Sequence, residues 1–229
     1  MTTDQVGASD GGGLRERKKQ ATREALSWAA LRLAVEHGLE QVRVEEIAAA
    51  AGVSPRTFNN YFASKHEAII YRHLERSRQT AEALRARPAA EPLWTAMAAA
   101  VLAPYGVGAE GEPAEPGLSS GPAGPTATDS PGPAWTAGVR RMLAEPSMRG
   151  EFARAGVAAR AQLAAAIAER TGTDPEHDLY PELVASAVLT AQQVASDQWL
   201  RHDPPVPFGP LLRRALDLLA AGLPDPSAP

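Results

Sequence analysis

Val44-Glu-Glu-Ile-Ala-Ala-Ala-Ala-Gly-Val-Ser-Pro-Arg-Thr-Phe-Asn-Asn-Tyr-Phe-Ala-Ser-Lys65 decides the fold. A short helix over about 44–51 buries Ile47, Ala48 and Ala51, and Gly52 ends it, because glycine tolerates a left-handed turn. Ser54 can cap the next helix with its hydroxyl. Pro55 then takes the first helical position, where a missing N–H costs nothing. Two helices joined by Ala51-Gly52-Val53-Ser54 have the dimensions of a helix-turn-helix, whose second helix enters the major groove of DNA. That helix offers groups suited to base edges and phosphates. Arg56 can give guanine a bidentate pair; Asn59 and Asn60 can pair with adenine or donate to phosphate. Thr57 and Tyr61 carry hydroxyls for phosphate, and Lys65 is a phosphate anchor one turn on. Ser54 and Pro55 belong to the same contact surface. Phe58 and Phe62 point back into a small core. Any helical hairpin with a polar open face shares this periodicity, so the spacing alone leaves both readings open.

Outward from this stretch the chain reads as helix throughout. A first helix over 14–37 carries Leu26, Ala29, Ala30, Leu33 and His37 on one face and stops at Gly38. Ser64-Lys-His-Glu67 is a capping box that opens a helix running to about Arg87, where Pro88 ends it. Further helices are expected over about 92–103, 135–144, 147–171, 181–201 and 207–222. Residues 104–133 are mostly Gly, Pro, Ala, Ser, Thr and Glu and read as a flexible loop. Residues 1–13 and 224–229 read as disordered tails. The expected organisation is a DNA-binding domain over 14–63 and a helical regulatory and dimerisation domain over 64–223.

Composition agrees. Of 229 residues, 44% are hydrophobic and 5% aromatic, and there are no cysteines. The alanine-rich, aromatic-poor balance favours helices over sheet. No apolar run is long enough to span a membrane, and the absence of cysteine excludes disulfides and thiolate metal sites. A cytoplasmic location is the expectation. Net charge is −4, but it divides as +2 over 1–78 and −6 beyond. Positive charge clusters at Arg15, Arg17, Lys18, Lys19 and Arg23, as suits nucleic-acid contact at one end only.

The run Ala-Gly-Val-Ser-x-x-Thr-Phe-x-x-Tyr-Phe-x-Ser-Lys, with Gly38 after the first helix, resembles the signature of the TetR family of bacterial repressors over residues 14–75. The resemblance implies an all-α homodimer with a three-helix DNA-binding head and a helical C-terminal domain that binds a small-molecule effector. Arg56, Asn59 and Asn60 match groove-facing positions; Thr57, Tyr61 and Lys65 match phosphate contacts. Val44 stands where the family has a capping Thr, a loss of about 1 kcal/mol, and Arg43 beside it is a substitute phosphate contact. Glu45 either accepts from cytosine N4 or favours the helix start electrostatically. The last two helices would pair with those of a second subunit, through Leu183, Val184, Ala187, Val188, Ala191 and Val194 on one and Leu211, Leu212, Ala215, Leu216 and Leu219 on the other. A two-fold operator independently asks for such a dimer. The effector cavity would lie among Trp94, Met97, Trp135, Met142, Phe152 and Gln192. The C-terminal half loosely resembles a subtype with acyl-CoA-like ligands, for which Arg140, Arg141 or Arg149 would meet phosphate.

Rival classes fare less well. Gly106-Val-Gly-Ala-Glu-Gly111 matches G-x-G-x-x-G but lacks the flanking strand and helix that motif needs. G-x-S-x-G and H-E-x-x-H are absent. The five histidines are scattered, and His66 and His73, seven apart on one helix, have no evident third ligand. No catalytic residue, metal or cofactor is expected. A helical protein-interaction scaffold without DNA binding is the alternative.

Overall fold

The computed structural model describes residues 10–105, 132–202 and 206–224. The described residues form nine α-helices: α1 Asp10–His37, α2 Val44–Ala50, α3 Pro55–Tyr61, α4 Lys65–Ala86, α5 Leu93–Leu102, α6 Pro133–Ala144, α7 Pro146–Thr171, α8 Leu179–Arg201 and α9 Phe208–Ala220. Short 3-10 turns follow α1 and α5. The expected tail over 1–9, most of the expected 104–133 loop with its glycine motif, and the last five residues lie outside the described residues. Helix α1 begins at Asp10, so residues 10–13 are helical rather than tail.

The chain divides into two compact units, and the division falls between Arg72 and His73, inside α4. The division thus falls nine residues after the expected boundary at 63/64. The reason is packing within the first unit. Ser27 Oγ donates to the Ala68 carbonyl at 2.5 Å, Gln20 Nε2 donates to Tyr71 Oη at 2.8 Å, and Arg72 lies over the Trp28 ring at 5.0 Å. The start of α4 is thus a wall of the head.

In that unit Leu26, Ala30, Ile47, Ala48, Phe58 and Phe62 are buried, as their periodicity predicts. His37 is not on the buried face; it is exposed beside Glu36, and Ala34 and Val35 are buried in that turn instead. Gly38 and Gly52 have φ of 90° and 70°, values that a Cβ would strain, and each stands where a helix gives way to a turn.

The second unit has its own core. Met97, Val101 and Leu102 of α5 pack with Leu163 and Ile167 of α7, Val184 and Val188 of α8, and Leu212 and Leu216 of α9. Arg170 closes the turn between α4 and α5: its Nη2 donates to the carbonyls of Pro88 and Glu91, 2.7 Å from each. Arg85 grips Glu169 with two bonds of 2.7 and 2.9 Å. The predicted dimer stripes divide. Val184, Val188, Ala191, Leu212 and Leu216 are buried within the chain, whereas Leu183 and Val194 are exposed, as is Leu218, which lies outside the predicted stripes. Periodicity cannot separate the two uses, because the exposed Leu183 and Val194 adjoin the buried Val184, Val188 and Ala191 around α8. No helix among the described residues is long and apolar enough to cross a membrane.

Candidate nucleic-acid interface

Helix α3 is held at its start by Ser54. The Ser54 Oγ accepts from the Thr57 backbone N–H at 3.1 Å, and its hydroxyl shares a 2.9 Å hydrogen bond with that of Thr57. Pro55 sits in the first turn as expected. Phe58 and Phe62, one turn apart, enter the core with ring centroids 5.8 Å apart. With those two inward, helical spacing turns Arg56, Asn59 and Asn60 outward onto one face, and all three are exposed. Tyr61 and Thr57 are half-buried at its edges. A seven-residue helix with a capped start thus presents one guanidinium and two amides together, a donor and acceptor set able to read guanine and adenine in the major groove.

Two residues work differently from expectation. The cap position of α2 is Arg43, with Val44 in the first helical position. The missing cap therefore belongs to Arg43, and Glu46 offsets it by accepting from the Arg43 backbone N–H at 2.8 Å. That leaves the Arg43 side chain exposed, with Glu45 exposed on the same turn. Lys65 is anchored inside the head: its Nζ donates to the carbonyls of Leu39 and Val42 at 2.7 and 3.1 Å. An ammonium has three donors, so one remains for a phosphate. Ser64 caps α4 through the Glu67 N–H at 3.1 Å, while the Glu67 carboxylate reaches back to the Ala63 N–H at 2.7 Å.

Arg23 contributes more than charge. Its guanidinium lies 5.4 Å from the Phe62 ring centre and 4.8 Å from that of Tyr71, tying α1 to the end of α3 and the start of α4. Its partners are 39 and 48 positions away, beyond the reach of any local signal.

In the second unit the six expected effector-lining residues are not gathered. Met97 is core, with Trp94 packed against it; Met142 is buried on α6 with Trp135 half-buried nearby in sequence. The Phe152 ring meets His73 edge-on at 5.5 Å. Gln192 does line a cavity, with Ser77, Thr80, Ala159, Leu163 and Leu189, but its volume is only about 10 Å³. Arg140 and Arg141 are exposed, and Arg149 donates to the Ala144 carbonyl at 2.6 Å. The described residues contain no group of three His, Cys, Asp or Glu that could hold a metal ion.

Comparison with known proteins places both units. Residues 28–73 match the family described as bacterial regulatory proteins, tetR family, and residues 127–224 match the MftR C-terminal domain. The chain is 32% identical over 195 residues to the HTH-type transcriptional regulator TcmR of Streptomyces glaucescens, covering 85% of this chain and 80% of that protein. Its fold is similar to that of the fatty acid degradation regulator FadR from Bacillus halodurans, with a TM-score of 0.55 and 18% identity over 88% of this chain and 96% of that one. A TetR-family transcriptional regulator from Rhodococcus sp. gives a TM-score of 0.53 at 18% identity, covering 90% of this chain and all 100% of that one.

Proposed function

The chain belongs to the TetR family of bacterial regulatory proteins, and on that premise we propose that it is a homodimeric repressor released from a palindromic operator by a small effector. As a member of that family it is a DNA-binding transcriptional regulator and not an enzyme. The observation that carries the finer reading is the exposed face of α3, where Arg56, Asn59 and Asn60 stand together on a helix fixed by the Ser54 cap. In this reading α3 enters the major groove. Thr57, Tyr61, Arg43 and the free donor of Lys65 hold phosphates, with Ser54 and Pro55 at the groove's edge and Glu45 beside it. Two heads are needed for two half-sites, and Leu183, Val194 and Leu218 supply an uncovered apolar face on α8 and α9 for the second subunit.

The effector enters among α4, α7 and α8, where Gln192 marks the cavity. Its lining is Ala and Leu with three neutral polar groups and no charged side chain, which suits an apolar or acyl-type ligand. The Bacillus halodurans protein is by name a regulator of fatty acid degradation, but that likeness carries the fold alone. Ligand and DNA oppose each other by linkage: the effector favours a conformer whose heads no longer match successive major grooves.

The test is titration of the purified full-length protein with duplexes from the chromosomal region beside its own gene. Specific binding is expected, with log affinity falling linearly against log salt. Absence of binding to every duplex at low ionic strength overturns the reading in favour of the interaction scaffold.

A further inference from the structure

Helix α1 projects past the core of its own head. Residues 14–19 are all exposed, and burial sets in only from Gln20 onward, reaching completion at Leu26. With 3.6 residues per turn, Arg15, Lys18 and Lys19 stand at i, i+3 and i+4, and the same stripe continues through Thr22 to Leu26 and Ala30. The face that is buried further along the helix is therefore, in the projecting turns, a row of cations with no protein layer over it. Lys19 lies 3.7 Å from Glu16, and among the described residues no carboxylate is in ion-pair range of Arg15 or Lys18.

The stripe is continuous with the interface already described. Arg23, one turn beyond Lys19, stacks on Phe62, which directly follows the last residue of α3. At 1.5 Å per residue, Lys19 and Arg15 lie roughly 6 and 12 Å along the axis from that point. These residues precede the 28–73 stretch matched by the family's DNA-binding region.

We propose that Arg15, Lys18 and Lys19 form a second DNA contact, gripping backbone phosphates that flank the base pairs read by α3. The inference rests on the reading of α3 as the groove helix. The contact is purely electrostatic: it adds affinity and lengthens the footprint without adding base specificity.

The experiment compares full-length wild type with the combined variant Arg15→Ala, Lys18→Ala, Lys19→Ala, and with Arg56→Ala alone, on a long duplex and on one trimmed by roughly three base pairs at each end. All three replaced side chains are exposed and alanine is the best helix former, so an unchanged circular dichroism melt is the control for folding. The triple variant is expected to bind the long duplex about tenfold more weakly at moderate salt, with a log–log salt slope shallower by roughly 0.9 for each phosphate it no longer neutralises. It is also expected to show none of the wild type's preference for the long duplex. Arg56→Ala should keep the slope and the length preference while losing operator discrimination. A triple variant with the wild-type slope and length preference overturns the proposal and leaves the α3 reading standing. A wild type that binds neither duplex overturns both.

Discussion

The Lys65 ammonium donates to the carbonyl oxygen of Leu39 across 2.7 Å, joining the first residue of α4 to the turn that follows α1. A residue that reads from the sequence as a phosphate contact is thus also a brace of the head. Replacing it with methionine keeps the stem and leaves the Leu39 and Val42 carbonyls without this partner. Lys65→Met should lower stability by about 1–3 kcal/mol, measured by urea unfolding, as well as weakening all DNA sequences alike. An unfolding midpoint equal to wild type would show that the brace contributes nothing.

Arg56→Ala and Asn60→Ala should each weaken operator binding by about 1–3 kcal/mol, with non-specific binding little changed. Both side chains are exposed, so unfolding midpoints should stay put. Equal losses on operator and random duplex would remove these residues from base reading.

Ser54→Ala removes the oxygen that accepts from the Thr57 N–H. The expected cost is about 1 kcal/mol of stability, and Ser54→Asp should restore most of it. If aspartate is no better than alanine, the cap is not what holds the start of α3.

Leu183→Glu puts a charge at an exposed leucine, 67% accessible, on the face proposed to meet a second subunit. The expected result is monomer in sedimentation velocity with helix content intact. A central interface side chain is worth about 2 kcal/mol or more, so the dimer dissociation constant should rise by roughly thirtyfold at least. A variant that stays dimeric at low concentration places the interface elsewhere.

His73 is depressed below its ordinary value near 6.5, first by burial and then by the charge of Arg76. The folded state therefore binds this proton less readily than the unfolded chain. Stability from the neutral imidazole is complete above pH 6.5 and is lost as pH falls below it. Chemical denaturation at about pH 7.5 and about pH 5 should show the decline, and His73→Gln should flatten it. Glu169, held low by its hydrogen bonds to Arg85, acts in a lower window: its contribution is present above 4.5 and fades as acid protonates it. A His73→Gln curve parallel to wild type between neutrality and mild acid would assign the decline to another group.

Much of this is legible in the residues themselves. Ser54 with Pro55, Ser64 with Glu67, and the glycines at 38 and 52 mark helix ends through local chemistry, and the structure places the ends there. Phe58 and Phe62 are identifiable as core because helical spacing turns them away from Arg56 and Asn60. What stays hidden depends on partners distant in sequence: the stacking of Arg23, the brace at Lys65, and the membership of the first turns of α4 in the head. The Glu46 bond to Arg43 is readable, as an acid three residues into a helix, but attention to Val44 places the cap one residue late. The effector residues are least legible. Large apolar side chains such as Met97 announce burial and say nothing about whether a hollow lies beside them.

The cavity at Gln192 has a volume of only about 10 Å³, against the roughly 300–1,000 Å³ that ligand sites occupy. In the proposed reading, an effector that binds at Gln192 has first to part α4, α7 and α8. The free energy of that parting is subtracted from every ligand alike, which multiplies each apparent dissociation constant by the same factor. Mutations that loosen these helices should lower the inducing concentration for all effectors together, so sensitivity in the cell and chemical selectivity can be adjusted separately.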